Sequence, residues 1–139
     1  MSKAIYTVAI TGASGSIYGI RLVEELLKAG CHVNLVISET GKEVLLHETG
    51  IDLCGTEEEA QKKAKKYFKK GSVTLFDNTN LFASISSGSY SSDGMIIAPR
   101  SMGTLGRVAS GHSVSLIERT ADVMLKEKRR LILVPRETP

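Results

Sequence analysis

A cluster of glycines and hydroxyls, Thr11-Gly12-Ala13-Ser14-Gly15-Ser16-Ile17-Tyr18-Gly19, directly follows the apolar run from Tyr6 to Ile10. Glycines at 12 and 15 let the backbone approach an anion closely, and the Ser14 hydroxyl adds a neutral donor. A strand that passes through such a loop into a helix is where α/β proteins hold a phosphate, because the first amides of the helix point at it. Polar groups recur after other apolar runs: Ser38, the stretch Pro99-Arg100-Ser101-Met102-Gly103-Thr104, and Arg136-Glu137. Ser38, Ser101 and Thr104 offer hydroxyls, while Arg136 offers a guanidinium that can grip an anion through two parallel bonds. Few lysines flank the first loop, so the set suits a phosphomonoester held by dipoles and hydroxyls.

These residues need a frame that gathers them. Residues 4–10 read as a buried strand, and Ile17, Ile20, Val23, Leu26 and Leu27 recur at helical spacing up to a stop at Gly30. Residues 32–37 form a second strand, which completes a βαβ unit with parallel strands and a right-handed crossover. Ser38-Glu39-Thr40 opens a short helix, and Thr56-Glu57-Glu58-Glu59 is a capping box that predicts a surface helix to Lys70. A short strand at 73–76, a serine-rich loop at 83–90 and a strand at 95–98 follow. Ser101 is placed to cap a helix carrying Leu105 and Val108, and Ser115-Leu116-Ile117-Glu118 opens a helix to about Lys128 before a last strand at 131–134. The expected architecture is one α/β domain over residues 1–139: a doubly wound, mostly parallel open sheet with helices on both faces. In that architecture ligands bind outside the carboxyl ends of the strands, where all the motifs above fall.

Composition removes several classes. With 42% hydrophobic and 24% charged residues the chain is ordinary globular material. No apolar run approaches the roughly 20 residues of a membrane-spanning helix, and no leader pattern opens the chain, so the cytoplasm is the expected compartment. The net charge of +3 owes much to Lys62, Lys63, Lys65, Lys66, Lys69 and Lys70. Without a groove-reading motif or aromatic platform beside them, these read as a solvated helix face, and no nucleic-acid partner is expected. Cys31 and Cys54 match no metal or redox spacing, and His32, His47 and His112 sit with no nucleophile, so neither a metal site nor a hydrolytic triad is expected. The spacing Gly12, Gly15, Gly19 departs from G-x-G-x-x-G, and Ser38 stands before Glu39 where a ribose-binding acid is due. Both details argue against a nicotinamide dehydrogenase.

Five blocks in order carry a family resemblance: residues 12–19, Ile85-Ser86-Ser87-Gly88-Ser89, Gly94-Met95-Ile96-Ile97-Ala98-Pro99, residues 121–127, and Pro135-Arg136-Glu137-Thr138-Pro139. Together the chain resembles the UbiX-type flavin prenyltransferases over nearly its whole length. The resemblance implies a Rossmann-like, flavodoxin-like homo-oligomer that joins a dimethylallyl group from dimethylallyl phosphate to N5 and C6 of reduced FMN. The prenylated FMN would serve a partner decarboxylase of the UbiD type. By the same resemblance Gly12, Ala13, Ser14, Ser38, Ser101, Met102, Gly103, Thr104 and Arg136 hold FMN. Arg119, Lys126 and Arg136 surround the prenyl phosphate, Glu137 assists proton handling, Ser14 lies between flavin and prenyl donor, and Glu48 is donated across a subunit interface. Family members carry cysteine where this chain has Arg100 and lysine where it has Gly103, and they continue through a further helix and strand.

Physical chemistry bears on these roles independently. Departure of phosphate from an allylic carbon leaves a delocalised cation, so the site needs fixed positive charge on the leaving group. Arg119 and Lys126 stand seven residues apart, two helical turns, and so share a side of their helix. The charge pattern alone serves equally well for a solvated basic face shared with Lys128, Arg129 and Arg130. Two other readings stand beside prenyl transfer. One is a non-catalytic FMN-binding subunit or fragment. The other is a flavin-dependent decarboxylase of cysteinyl substrates, whose expected histidine after the first helix and asparagine motif in place of residues 99–104 are absent.

Overall fold

A computed structural model describes residues 3–100 and 115–135. Five strands form one sheet: β1 (Ile5–Ile10), β2 (His32–Ile37), β3 (Ser72–Asp77), β4 (Gly94–Arg100) and β5 (Leu131–Pro135). The helices are α1 (Ser16–Lys28), α2 (Glu39–Thr49), α3 (Glu57–Tyr67) and α4 (Leu116–Lys126), with a short 3-10 turn at Ser84–Ser86. Every strand pairing is parallel, and the order is β3-β2-β1-β4-β5. The chain winds outward through β2 and β3 on one side of β1, then returns to add β4 and β5 on the other. The order therefore reverses between β1 and β4, the switch point at which doubly wound sheets bind ligands.

Successive strand side chains point to opposite faces, so each inner strand feeds two cores and reads as a nearly continuous apolar run. Val8, Ile10, Val33, Leu35, Ile37 and Leu75 pack beneath α1, α2 and α3, against Ile20, Val23, Leu45 and Ala64. Ala9, Val36, Met95 and Ile97 face the other way, against Ile85 of the 3-10 turn and Leu116, Ile117, Ala121 and Met124 of α4. Among the described residues, three helices on one face and one on the other give the two-sided layering expected of this pattern.

The helix ends follow local chemistry. Thr56 accepts from the Glu59 amide at 3.2 Å while the Glu59 carboxylate accepts from the Thr56 amide at 3.1 Å, a complete capping box on α3. This helix ends at Tyr67, short of the predicted Lys70, because Phe68 leaves helical geometry to bury its ring in the core. Gly71 then turns the chain into β3 at φ +108°. Ser115 caps α4, accepting from the Glu118 amide at 3.3 Å and meeting its carboxylate at 2.9 Å. That helix stops at Lys126, before the predicted Lys128, which adopts a left-handed φ of 55°. The helix expected after Ser101 lies outside the described residues. Among the described residues no helix is long and apolar enough to cross a membrane.

Candidate functional site

β1 delivers the chain to the switch point and Thr11 fastens it there. Thr11 is buried, and its amide and hydroxyl both donate to the Pro99 carbonyl at the end of β4, at 3.3 and 2.6 Å. The following loop reaches α1 through Gly15, whose φ of +96° a residue with a β-carbon adopts only under strain. Gly15 is the N-cap, and no side chain of the cap itself bonds the first turn. The helix therefore begins with amides and a positive dipole end open to an outside acceptor. Gly12 serves a different need: a β-carbon there would lie 2.6 Å from Thr40 Cγ2, so glycine lets the first turn of α2 sit over the loop.

The acceptor present at this helix end is the Glu48 carboxylate, brought from α2. Ser14 Oγ donates to Glu48 Oε2 at 2.6 Å, the Gly15 amide donates to Oε1 at 3.1 Å, and Ser16 Oγ reaches Oε1 at 3.5 Å. The Ser14 hydroxyl, then the Gly15 amide, hold the Glu48 carboxyl below its usual range against the opposing effect of burial. The loop thus carries a donor set that stabilises an anion. Both Ser14 and Glu48 are exposed, so the anion position opens to solvent. Tyr18 flanks it, 72% exposed, with its ring 3.3 Å from where a Gly15 β-carbon would stand. Removing the Ser14 hydroxyl in Ser14→Ala is expected to let Glu48 titrate at higher pH, which carboxyl-carbon NMR during an acid titration measures directly; an unmoved Glu48 titration would contradict this geometry.

Ser38 closes another side of the same edge. It is the N-cap of α2, where its hydroxyl accepts from the Gly41 amide at 2.9 Å and its own amide donates to the Ile10 carbonyl at 3.0 Å. The structure therefore brings Gly12, Ala13, Ser14, Ser38 and Glu48 together. Arg119 is exposed in the first turn of α4, whose N-terminus is held at the exit of β3: Asn78 accepts from the Leu116 and Ile117 amides at 2.8 and 3.0 Å. Lys126 stands at the other end of α4, near the start of β4, and pairs with Asp122 at 3.1 Å. The seven-residue spacing that gives Arg119 and Lys126 a common side also separates them by about 10 Å along the axis. Ser101, Met102, Gly103, Thr104, Arg136 and Glu137 lie outside the described residues.

Two groups at this edge were not singled out from the sequence. Lys42 of α2 is 2% exposed, and its ammonium lies 3.5 Å from Asp77 Oδ1 at the end of β3. Its spacing to Leu45, three residues on along the same buried face, was the available signal. Among the described residues no cluster of three or more His, Cys, Asp or Glu could hold a metal ion.

Comparison with known proteins agrees with this architecture. The Flavoprotein family matches residues 1–138. A flavin prenyltransferase UbiX of Halalkalibacterium halodurans is 52% identical over 99% of this chain and 66% of its own length. Among solved structures, AnUbiX (PadA1) in complex with FMN and dimethylallyl pyrophosphate superposes with a TM-score of 0.85 at 36% identity, covering 99% of this chain and 67% of that one. A dodecameric FMN-dependent UbiX-like decarboxylase from Escherichia coli O157:H7 gives a TM-score of 0.80 at 34% identity, covering 97% and 68%. The chain spans about two thirds of the length of these relatives. With its parallel five-stranded sheet, its glycine loop at the switch point and this degree of identity, the chain belongs to the flavoprotein family and, within it, to the UbiX-type flavin prenyltransferases.

Proposed function

We propose that this chain binds reduced FMN and dimethylallyl phosphate or pyrophosphate and transfers the prenyl group to the flavin. The observation that carries the reading is 36% identity, at a TM-score of 0.85, to a relative described in complex with FMN and dimethylallyl pyrophosphate. The donor set fits anionic ligands: one amide and two hydroxyls at the start of α1 already stabilise a carboxylate. Reduced FMN, when bound, supplies the nucleophilic N5 and C6. Everything else falls to the protein. The α1 N-terminus and the loop amides favour negative charge, and Ser14 and Ser38 orient polar groups at the mouth. The Ser14–Glu48 pair places an ionised carboxylate behind a hydroxyl, an arrangement able to take up a proton released beside it. In this reading Ser101, Met102, Gly103, Thr104 and Arg136 complete the FMN site. Arg119 and Arg136 balance the charge of the leaving phosphate, Lys126, at the far end of α4, adds its charge from a neighbouring subunit, and Glu137 assists the proton.

The proposal extends to a homo-oligomer, with Glu48 serving a neighbouring subunit's site as well, and to delivery of prenylated FMN to a UbiD-type decarboxylase. Incubating the protein anaerobically with reduced FMN and each donor in turn is expected to yield, by mass spectrometry, a flavin heavier by one five-carbon unit. Recovery of unmodified FMN from folded protein that retains the flavin would reject transfer and leave binding alone.

A further inference from the structure

One large concavity lies away from the glycine loop. It is a groove of about 1070 Å³ between the last turn of α1 and the last turn of α3, at the edge where the chain enters β2 and β3. Its floor is apolar: Leu27, the buried Phe68 and the half-exposed Tyr67, whose ring meets that of Phe68 edge-on at 4.9 Å. Its rim is predominantly cationic, five lysines against Glu24 and Asp52. Lys28 is paired with Glu25 at 3.3 Å and Lys63 with Asp52 at 3.0 Å, which leaves Lys66, Lys69 and Lys70 with no ion pair or hydrogen bond among the described residues. The carboxyl edge of the sheet, where the flavin reading puts its chemistry, is at the opposite end.

We infer that this groove is a docking site for an acidic, amphipathic segment of a partner protein, one that seats an aliphatic or aromatic anchor on Tyr67 and Phe68 and sets carboxylates against Lys66, Lys69 and Lys70. Charge complementarity fixes the sign of the partner, since three unpaired ammonium groups over an apolar floor reward carboxylates and repel basic segments. Shape selects the class. A concave, open trough admits a helix or extended segment, whereas a bilayer surface meets only the lysine rim and leaves the floor unfilled. Single-stranded nucleic acid would need successive stacking platforms, and Tyr67 alone offers a half-exposed ring here. At the upper end of the usual small-molecule range of roughly 300–1,000 Å³, and open along its length, the groove would leave a small ligand largely solvated.

The test uses the whole chain, isotopically labelled, and a short synthetic peptide with Leu and Phe at i, i+3, i+4 and i+7 and Glu elsewhere. Amide shifts confined to the ends of α1 and α3 are expected, with affinity falling at least about tenfold between about 50 and 300 mM salt. The exposed triple change Lys66→Glu/Lys69→Glu/Lys70→Glu is expected to lower affinity at least tenfold, and Tyr67→Ala severalfold, each with unchanged FMN retention and thermal midpoint. No shifts with the peptide at millimolar concentration would overturn the proposal. So would equal binding by hexaglutamate, which lacks the anchor, or tighter binding of oligo-dT or phosphatidylglycerol vesicles through the same lysines. A change in oligomeric state of the triple variant by sedimentation would instead assign the groove to contact between copies of this chain and likewise overturn it. None of these readouts depends on prenyl transfer, so the two proposals fail separately.

Discussion

Replacing Gly19 with alanine is expected to lower the free energy of unfolding by about 2–3 kcal/mol. Two effects oppose each other at this position. Gly19 lies inside α1, where alanine is favoured over glycine by about 1 kcal/mol on helix propensity alone. Its missing side chain, however, is what lets α1 lie directly on the sheet. An added β-carbon would stand 2.3 Å from the Ala98 carbonyl oxygen and 2.7 and 2.9 Å from Ile10 Cγ1 and Cδ1. The carbonyl is backbone of β4 and the Ile10 side chain is wholly buried, so neither can yield without moving a strand or α1 itself. Overpacking therefore outweighs propensity. The change shows as a lower urea midpoint with an unaltered slope, and a Gly19→Ala protein as stable as the parent would refute the packing described for α1. Because α1 begins at Gly15 and Ser16, the same displacement is expected to draw the Ser14–Glu48 contacts apart and weaken flavin retention.

The second large effect concerns Lys42 and Asp77. Asp77→Asn leaves a lysine ammonium that is 2% exposed without its counter-charge, and the expected loss is about 3 kcal/mol. Lys42→Met, which removes the buried charge while keeping the length of the side chain, is expected to stay within about 1 kcal/mol of the parent. The double variant is expected to recover most of the loss. Equal losses from both single changes would refute the asymmetry.

The pair also sets an acid dependence. Burial pushes the Asp77 carboxyl upward, but hydrogen bonds from the Thr79 hydroxyl and amide and the charge of Lys42 outweigh it, holding the group below the usual carboxylate range. A carboxyl whose folded value is depressed contributes its full stabilisation above the unfolded value and loses it as pH falls through the folded one. Stability of the parent therefore declines over that acid interval, and urea titrations of Asp77→Asn are expected to show a shallower decline there.

How much of this was legible beforehand depends on how local each cause is. The β1-α1-β2 unit was readable because each element is set by neighbours within a few residues: strand runs buried on both faces, apolar residues at helical spacing, and a glycine stop. The same holds for the α3 capping box, a contact between residues three apart. Strand order was not readable, since nothing in the local pattern of residues 94–100 says that β4 lies beside β1 rather than beside β3. The flavin and prenyl-phosphate roles came from the family resemblance carried by five ordered blocks, and those at 101–104, 136 and 137 rest on that basis still.

The glycine loop and Ser14 could be placed from sequence alone, because a turn after a buried strand has one place to go in a doubly wound sheet. That Glu48 is the anion held there was decided by the packing of α1 on α2, which closes a 34-residue separation into a 2.6 Å hydrogen bond. Tertiary packing likewise turned Lys42, one more polar residue of a short helix, into a buried charge. It also divided the lysine run, which reads as a uniform solvated face, between a paired Lys63 and the open rim of an apolar groove. Sequence fixes what each residue can do within a turn or a strand of itself; which distant residues it does it with is a property of the packed layers, because only they bring those residues within bonding distance.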